Sequence, residues 1–424
     1  MKVVFVEASS GSVVGGSLTG MLELLRGLDR SRIEPSVVLY EHKPSVAALA
    51  ASGIPVAIVS RRRLPKQHGL ADKPGYSRAK RLGPVAAVLA LARTTATFLL
   101  ETLPAARRLK KVVAASGADL VYACNGFRGN ADAIVASRLL SLPCVIHAKG
   151  FDKFSWLERR LSRSVAGCVS MTKTIEDHCR AGGMRPGFFE VIYDGLDLEA
   201  FQPGRPMREV RAELGVGEGA EVVGVVGNIQ EWKGQRVLVE ALDLLREARP
   251  RLVVLLVGGI HRGGAAYAEA LKELIESRGL GARVIWTGAR PDVPDVMNAM
   301  DVVVHTSVRG EPFGRVIIEA MAIGKPVVAT RAGGVPEFVN DGTDALLLPP
   351  GDSAALAGCL DRLLGDAALR ERLGKAAVQS AKRFALAGHV DAMTAVFERA
   401  AVFERAASGA SRPAGPGART GVGA

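Results

Sequence analysis

Residues 301–338 read DVVVHTSVRGEPFGRVIIEAMAIGKPVVATRAGGVPEF. The apolar, β-branched run over 302–304 predicts a buried strand, and the polar, turn-rich residues 306–312 predict a loop. Apolar residues at helical spacing follow over 316–321, and a second short buried strand is expected over 326–329. This order of elements places the loop at the carboxyl ends of parallel strands, where open α/β sheets bind their ligands.

Two carboxylates, Glu311 and Glu319, are separated by seven residues within this unit. Glu311 belongs to the loop, and Glu319 lies about a turn and a half into the helix, so we expect both to face one crevice. Gly314 lets the backbone approach a ligand closely, and the helix start behind it offers unpaired N–H groups to an anion. An ordinary βα unit with two solvated glutamates would show the same spacing, so the flanking residues must decide.

The flanking residues favour a binding site. The segment EPFGRVIIEAMAIGKPVVAT, with GGVPE downstream, resembles the donor site of the retaining glycosyltransferases of glycosyltransferase family 4. The resemblance implies a sugar nucleotide as donor, with Glu319 on the ribose hydroxyls and Glu311 on the sugar or stabilising an oxocarbenium-like transition state. It also implies that the acceptor attacks on the face from which the diphosphate leaves, and Glu311 is not assigned as a covalent nucleophile.

The composition fits a large α/β protein. A chain of 424 residues with 48% hydrophobic residues can bury two or three cores, and strand and helix patterns alternate along most of it. Five cysteines without paired spacing indicate a reducing compartment and argue against disulfides or a zinc site. The amino terminus reads as a first strand rather than a signal peptide, and no uncharged apolar run reaches the ~18 residues of a spanning helix.

These patterns and the resemblance predict an α/β protein with two Rossmann-like domains that face each other across a cleft, the GT-B fold, built on parallel sheets. Residues 1–202 form the expected acceptor domain and 207–384 the donor domain, with a Pro/Gly-rich hinge between them. A helix over 385–407 is expected to return to the first domain. The Gly/Ala/Ser/Pro-rich tail, 408–424, is expected to be disordered.

Most of the net charge of +12 is concentrated in one segment. Residues 61–111 hold thirteen Lys or Arg and two acidic residues around an apolar centre. One interpretation is a polar loop followed by a core helix, and another is a cationic, amphipathic element lying on an anionic membrane surface. Nucleic-acid binding ranks last, because the segment has almost no aromatic residues for stacking on bases and no recognisable binding module.

The resemblance also implies residues that hold the donor. Lys233 and Gly234 match a Lys-Gly pair that neutralises the diphosphate, where Lys233 would stabilise the leaving group. Asn228 stands where the family usually has arginine, so one phosphate contact is weakened or moved, to Arg315 or Arg331. The implied donor-binding residues are Gly15 and Gly16 over the diphosphate, Gly258 and Arg290 in the loops near the base, and Asn228, Phe313, Gly314, Arg315 and Glu319.

His147 ends a predicted strand of the first domain, close to the expected crevice, and an imidazole is suited to proton exchange with hydroxyls. A lone histidine more often hydrogen-bonds a loop, but the resemblance implies that a histidine here contacts the transferred sugar. The implied catalytic residues are therefore Glu311, His147 and Lys233. Lys149 and Asp152 are polar candidates nearby.

Together these features predict a retaining glycosyltransferase that moves a hexose from a UDP- or GDP-sugar to a glycan or lipid-linked acceptor, in cell-envelope or polysaccharide biosynthesis. No cofactor or metal is expected, since no Asp-x-Asp loop is present to hold a cation against the diphosphate. The expected location is the cytoplasm, at the inner face of the membrane if residues 61–111 bind it. Two alternatives stay open: a sugar-nucleotide epimerase of similar architecture, and a non-catalytic sugar-nucleotide-binding partner subunit, suggested by Asn228.

Overall fold

A computed structural model describes residues 1–9, 16–61, 83–261 and 263–408. Within these ranges the chain forms two parallel β-sheets packed with helices, which confirms the predicted fold class. The predictions for Gly15, for the basic loop 62–82 and for the tail beyond Ser408 concern residues outside the described ranges.

Most strands of the first sheet are buried along most of their length, and the edge strands are less so. Residues 3–6, for example, are at most 1% exposed, as expected for parallel strands covered on both faces. The strands are β1 (Lys2–Glu7), β2 (Glu34–Leu39), β3 (Val56–Ile58), β4 (Leu120–Ala123), β5 (Cys144–Ala148), β6 (Gly167–Ser170) and β7 (Phe188–Val191). Their order, β3-β2-β1-β4-β5-β6-β7, reverses between β1 and β4.

The second sheet is built in the same way. Its strands are β8 (Glu221–Val226), β9 (Leu252–Val257), β10 (Val284–Gly288), β11 (Val302–His305), β12 (Val327–Thr330) and β13 (Leu346–Leu348). Their order, β10-β9-β8-β11-β12-β13, reverses between β8 and β11. The loops that leave β8 and β11 therefore part in opposite directions and open a crevice at their carboxyl ends.

Helices connect most of the strands. In chain order the described α-helices are α1 (Gly16–Gly27), α2 (Ser45–Ala51), α3 (Gly83–Thr97), α4 (Leu103–Ala115), α5 (Gly126–Gly129), α6 (Ala131–Leu139), α7 (Trp156–Ser162), α8 (Lys173–Ala181), α9 (Met207–Glu213), α10 (Gln235–Leu244), α11 (Ala265–Ser277), α12 (Val293–Asn298), α13 (Arg315–Ala322), α14 (Ser353–Gly365), α15 (Ala367–Ala381) and α16 (Leu386–Ser408). None of the helices in the described ranges is long and apolar enough to cross a bilayer.

The basic, apolar segment divides into two helices with different environments. A π-helical stretch, Phe98–Thr102, joins α3 to α4. Helix α4 is a core helix, with Leu109 and Val113 fully buried. Helix α3 instead exposes large apolar side chains, among them Val88 (65% exposed) and Leu91 (51%). The core-helix interpretation thus fits α4, and membrane binding through α3 stays a prediction.

The last helix, α16, packs on the first domain. The Phe397 ring lies 5.9 Å from that of Phe5 and 5.2 Å from that of Tyr122, both edge-on, so the helix covers the first sheet. Its first residue, Leu386, donates its N–H to the Leu196 carbonyl at 2.9 Å. The chain therefore crosses from the second domain back to the first at this point.

Glu337, from the GGVPE segment, ties the two domains together. Its carboxylate accepts the backbone N–H groups of Lys173 and Thr174, each at 2.7 Å, at the start of α8 in the first domain. A carboxylate satisfies the free N–H groups of a helix start and offsets its positive dipole end. Beside it, the Thr172 hydroxyl donates to the Pro312 carbonyl at 2.9 Å. The loop that carries Glu311 is thus anchored to the first domain.

Candidate active site

The candidate site lies where the strand order of the second sheet reverses. The loop after β8, residues 227–234, meets the loop after β11, residues 306–311. The Thr306 hydroxyl donates to the Lys233 carbonyl at 3.0 Å, and the Val308 N–H donates to the Trp232 carbonyl at 2.9 Å. These contacts hold Lys233 and Glu311 on one wall of the crevice.

The approach of these two loops requires glycine at position 234. Gly234 has a φ of 68°, in the left-handed region that other residues rarely adopt. A Cβ on this residue would lie 2.0 Å from the Thr306 carbonyl oxygen, far inside van der Waals contact. The Lys-Gly pair read from the sequence therefore has a steric basis: the glycine allows the contact that positions the lysine.

Glu311 is held by three side chains that all contact the same carboxylate oxygen. Its Oε2 accepts hydrogen bonds from Lys233 Nζ and Ser307 Oγ, both at 2.8 Å, and lies 3.0 Å from His305 Nε2. None of the described residues donates a hydrogen bond to Oε1. One oxygen thus fixes the side chain, and the other stays available for a hydroxyl of a ligand.

The environment of Glu311 keeps its carboxylate ionised. Burial, with only 6% of the residue exposed, is the strongest influence and raises the pKa. The hydrogen bond from His305 and the charge of Lys233 outweigh it and bring the pKa to about 2. At neutral pH Glu311 is therefore a fixed negative charge, suited to stabilising positive charge and unsuited to acting as a general acid.

Lys233 is the cation nearest to Glu311 in this wall. Its ammonium lies 4.1 Å above the centre of the Trp232 ring, a cation–π contact that limits its movement. Its side chain is 21% exposed, so it is accessible from the crevice. A lysine held in this way can meet a diphosphate without first being ordered.

Glu319 faces the interface between the domains through Arg315. The Arg315 guanidinium contacts Glu319 Oε1 at 2.9 Å and Glu23 Oε1, on α1 of the first domain, at 2.6 Å. It also donates to the Gly195 carbonyl at 3.2 Å. Burial raises the pKa of Glu319, and Arg315 partly offsets this. Within the described residues, Oε2 of Glu319 receives no hydrogen bond, which leaves it free for a ligand.

The two arginines expected to replace the missing phosphate contact are already paired with carboxylates. The Arg315 guanidinium is engaged by two carboxylates, and Arg331 is paired with Asp341, so neither is a free substitute for the arginine that Asn228 replaces. The Asn228 carbonyl accepts from the Gln235 side chain at 3.0 Å, which fixes the loop after β8. Of the residues considered for the diphosphate, Lys233 is the cation best placed at the crevice.

His147 was expected at the crevice but lies inside the first sheet. It is 1% exposed, and its Nδ1 lies 2.5 Å from the Tyr122 hydroxyl oxygen. Burial lowers its pKa well below the usual value, followed by the charge of Lys149, so the ring is neutral. In this geometry the imidazole is enclosed by the first domain, and the direct sugar contact of His147 stays a prediction.

Two further residues expected to bind the donor have structural roles. The Phe313 ring is buried and stacks on Tyr193 at 6.0 Å, within an aromatic cluster that includes Phe338 and Phe384. The Arg290 side chain forms ion pairs with Asp292 and Glu213 at 2.6 and 2.8 Å. A carboxylate pair satisfies this guanidinium, so a donor contact from this loop has to come from its backbone.

The predicted glycines that fall within the described residues lie at or beside the ends of helices and strands. Gly16 begins α1, and Gly314 immediately precedes α13 with a φ of 93°. Gly258 follows β9, where a Cβ would lie 2.1 Å from the Gly227 carbonyl oxygen. The two loops after β8 and β9 can therefore pack only with a glycine at this position.

Sequence reasoning missed several partners of the site. His305 and Ser307 hold Glu311, and their signal was present in the polar residues that end strand β11 beside the glutamate loop. Asp194 is buried, and burial is the largest influence on its pKa and raises it. Lys149, whose ammonium lies 3.4 Å from the carboxylate, and the neighbouring histidines outweigh burial and lower the pKa of Asp194 to about 2. Nothing in the local sequence marks Glu23 as the partner of Arg315.

Comparison with known proteins assigns both domains. Residues 15–195 match the family model described as Glycosyl transferase 4-like domain, and residues 206–380 match the model described as Glycosyl transferases group 1. The D-inositol 3-phosphate glycosyltransferase of Kribbella flavida is 38% identical over 48% of this chain and 49% of its own length. That of Corynebacterium kroppenstedtii is 35% identical over 51% and 49%. The chain thus covers about half the length of these relatives.

Solved structures extend the likeness to nearly the whole chain. HepE of Anabaena, in complex with UDP and glucose, has a TM-score of 0.74 at 26% identity, over 94% of this chain and 99% of that one. Sucrose-phosphate synthase of Thermosynechococcus elongatus shares the fold, with a TM-score of 0.73 at 21% identity over 94% and 98%. The chain therefore has the GT-B fold, and its two domains match, in order, a glycosyl transferase 4-like domain and a group 1 glycosyl transferase domain.

Proposed function

We propose that this protein is a retaining glycosyltransferase that moves a hexose from a UDP-sugar to a hydroxyl of a glycan or lipid-linked acceptor, without a metal ion. The observation that carries the proposal is the ionised Glu311 carboxylate, held at 2.8 Å from Lys233 where the second sheet opens its crevice. It places a fixed negative charge and an accessible positive charge on one wall. Sugar transfer needs this pair, because positive charge develops on the sugar while negative charge develops on the departing diphosphate.

Each group has a defined task in the reaction. The bond between the anomeric carbon and the β-phosphate oxygen breaks, and Lys233 stabilises the charge on that oxygen. The free Oε1 of Glu311 accepts a hydrogen bond from the sugar, and its charge stabilises the oxocarbenium character of the transition state. The acceptor oxygen then bonds to the anomeric carbon on the same face, and its proton passes to the departing phosphate, which leaves as UDP.

UDP is the proposed nucleotide, because the crystal structure of HepE holds UDP and glucose in a protein 26% identical to this chain. We assign the ribose hydroxyls to Glu319, whose Oε2 is free of hydrogen bonds from the described residues. A carboxylate can accept from two vicinal hydroxyls at once, and each charged hydrogen bond of this kind contributes about 1.5–3 kcal/mol.

Nucleotide binding should depend on Glu319. In differential scanning fluorimetry with UDP, GDP and ADP, we expect UDP to raise the melting temperature of the wild-type protein most. Glu319→Ala should weaken UDP binding by about 100-fold, which corresponds to about 3 kcal/mol of lost hydrogen bonding, and remove the shift. Glu23→Gln is the matched control, since Glu23 shares the Arg315 contact and should leave the shift intact. An unchanged UDP shift in Glu319→Ala would contradict the assignment.

The products separate the proposed reaction from its alternatives. A glycosyltransferase releases UDP when donor and acceptor are both present, and it often hydrolyses the donor slowly without one. An epimerase would return an isomeric sugar without needing an acceptor, and a non-catalytic binder would leave the donor unchanged. Product analysis with UDP-glucose, with and without acceptor, therefore tests the reaction class.

The exposed apolar face of α3 supports an acceptor at a membrane. Val88 and Leu91 of α3, and Leu99 and Leu100 of the π-helical stretch that follows it, are each more than half exposed. Arg61 is not assigned to the membrane contact, because its guanidinium lies 3.5 Å from the buried carboxylate of Asp132 in the first domain. We propose that α3 lies on an anionic bilayer, at the inner face of the cell membrane, and brings the first domain to a lipid-linked acceptor.

Vesicle binding should require the apolar face of α3. Leu91→Glu should reduce co-sedimentation with phosphatidylglycerol vesicles by about tenfold or more, because it removes about 1.5–3 kcal/mol of apolar burial and adds a repelled charge. Leu244→Glu is the matched control, since Leu244 is 59% exposed on the second domain. Equal binding of both variants would argue against membrane attachment through α3.

A second acceptor follows from the relatives, which are named for D-inositol 3-phosphate. Their likeness to this chain favours a small phosphorylated polyol as an alternative to a lipid-linked glycan. Offering inositol 3-phosphate and a lipid-linked glycan in parallel, with UDP-glucose as donor, distinguishes the two by which one releases UDP fastest.

A further inference from the structure

Four arginines line one cleft in the first domain, away from the donor crevice. Arg138, Arg160, Arg163 and Arg185 surround a volume of about 650 Å³. The other lining residues, within 141–142, 164–166 and 186–187, directly precede strands β5, β6 and β7. The cleft therefore lies at the amino ends of these strands, at the edge of the sheet opposite the crevice.

The charge in this cleft is not neutralised by the residues around it. No carboxylate is among its lining residues, and none of the four arginines forms an ion pair with another described residue. Arginine near a helix C-terminus offsets the negative dipole end, and Arg138 and Arg160 lie in the last turns of α6 and α7. The C-termini of two helices supply only about one negative charge in total, whereas the four arginines carry four positive charges. Most of the positive charge is therefore left for a ligand.

The shape and polar groups of the cleft suit a small anion. Its volume lies within the ~300–1,000 Å³ of typical ligand pockets. Ser141 and Ser164 add hydroxyls to the lining. Ser141 has a φ of 53°, and among the described residues it is the one outside glycine with a positive φ. This conformation ends helix α6, since the Ser141 and Leu142 N–H groups donate to the Arg138 and Ser137 carbonyls at 3.2 and 3.0 Å.

We propose that this cleft is a second binding site, for a ligand that carries two or more phosphate groups. Guanidinium groups form paired, planar hydrogen bonds with phosphate oxygens, and several arginines around one volume favour a polyphosphate over a single phosphate. Such phosphates occur on free small molecules and on lipid headgroups. Because the cleft lies at the opposite edge of the sheet, its ligand and the donor bind at separate places.

The test is isothermal titration of the full chain with tripolyphosphate in the presence of saturating UDP, which occupies the donor crevice if that site binds UDP. We expect one tripolyphosphate site to remain in the wild-type protein. Arg160→Gln/Arg163→Gln should weaken that site by at least tenfold, and the melting temperature without ligand should stay the same because both side chains are exposed. Arg208→Gln/Arg362→Gln, two exposed arginines of the second domain, should leave the affinity unchanged.

A vesicle arm separates the two sources of phosphate. If the Arg160/Arg163 variant also loses binding to vesicles that contain a polyphosphorylated lipid, the ligand is a headgroup; if it loses only tripolyphosphate, the ligand is a free polyphosphate. Equal tripolyphosphate affinity in wild type and the Arg160/Arg163 variant would overturn the proposal, and so would an equal loss in the Arg208/Arg362 control. These outcomes do not depend on whether the crevice transfers sugar.

Discussion

Glu311→Gln should reduce sugar transfer from a UDP-sugar by between about 10² and 10³-fold while leaving the dissociation constant of UDP nearly unchanged. The substitution keeps the size of the side chain and removes its charge, and removing one preorganised electrostatic contact to a transition state typically costs this much. UDP itself lacks the sugar that Oε1 of Glu311 is proposed to contact. Turnover and UDP binding should therefore separate, with the loss in kcat rather than in nucleotide affinity.

Glu371→Gln is the control for this change. Glu371 also pairs with a lysine, Lys375, but that pair is exposed on α15, far along the chain from the crevice loops. It should leave turnover unchanged. If a folded Glu311→Gln protein kept wild-type turnover, the assignment of Glu311 would be wrong; if it lost UDP affinity as strongly as turnover, Glu311 would bind the nucleotide rather than the sugar.

Lys233→Met should reduce both turnover and UDP affinity, the former by about 10²-fold, because the lysine is proposed to meet the diphosphate before and during its departure. Methionine keeps the length of the side chain and its packing on Trp232. The change also removes one of the influences that hold the Glu311 pKa at about 2. The pKa of Glu311 should rise, so the acid side of the rate profile should move to higher pH.

The pH profile distinguishes a catalytic lysine from a merely structural one. Lys375→Met removes an exposed lysine from a comparable ion pair and should change neither the rate nor its pH dependence. If Lys233→Met lowered the melting temperature but kept the UDP affinity and the acid side of the profile, the lysine would serve only to hold the loop. Lys233→Arg, which keeps the charge, should recover part of the turnover.

Much of the site was predictable because it is built from local pattern. A valine-rich strand, a turn-rich loop and a helix in sequence predict a crevice loop and place Glu311 on it, at the carboxyl end of a parallel strand. These inferences need only the periodicity of strands and helices and the rule that parallel strands bind ligands at their carboxyl ends. The side chains of His147, Phe313 and Arg290 are buried or paired with other charges, which the local pattern did not indicate, and their roles in sugar and donor binding stay predictions.

The sequence alone determined the fold class, the two-domain division and the loops that form the crevice, since each depends on residues close together in the chain. Only the tertiary structure decided which side chains meet there. Lys233 and Glu311 are 78 residues apart, and Arg315 meets Glu23 across 292 residues. Hydrophobic periodicity predicts which face of a strand or helix a side chain occupies. Its partners depend on the order of the strands in the sheet and on the packing of the two domains. Strand order and domain packing therefore determine the ionised state of Glu311 and the ion pairs of Arg315.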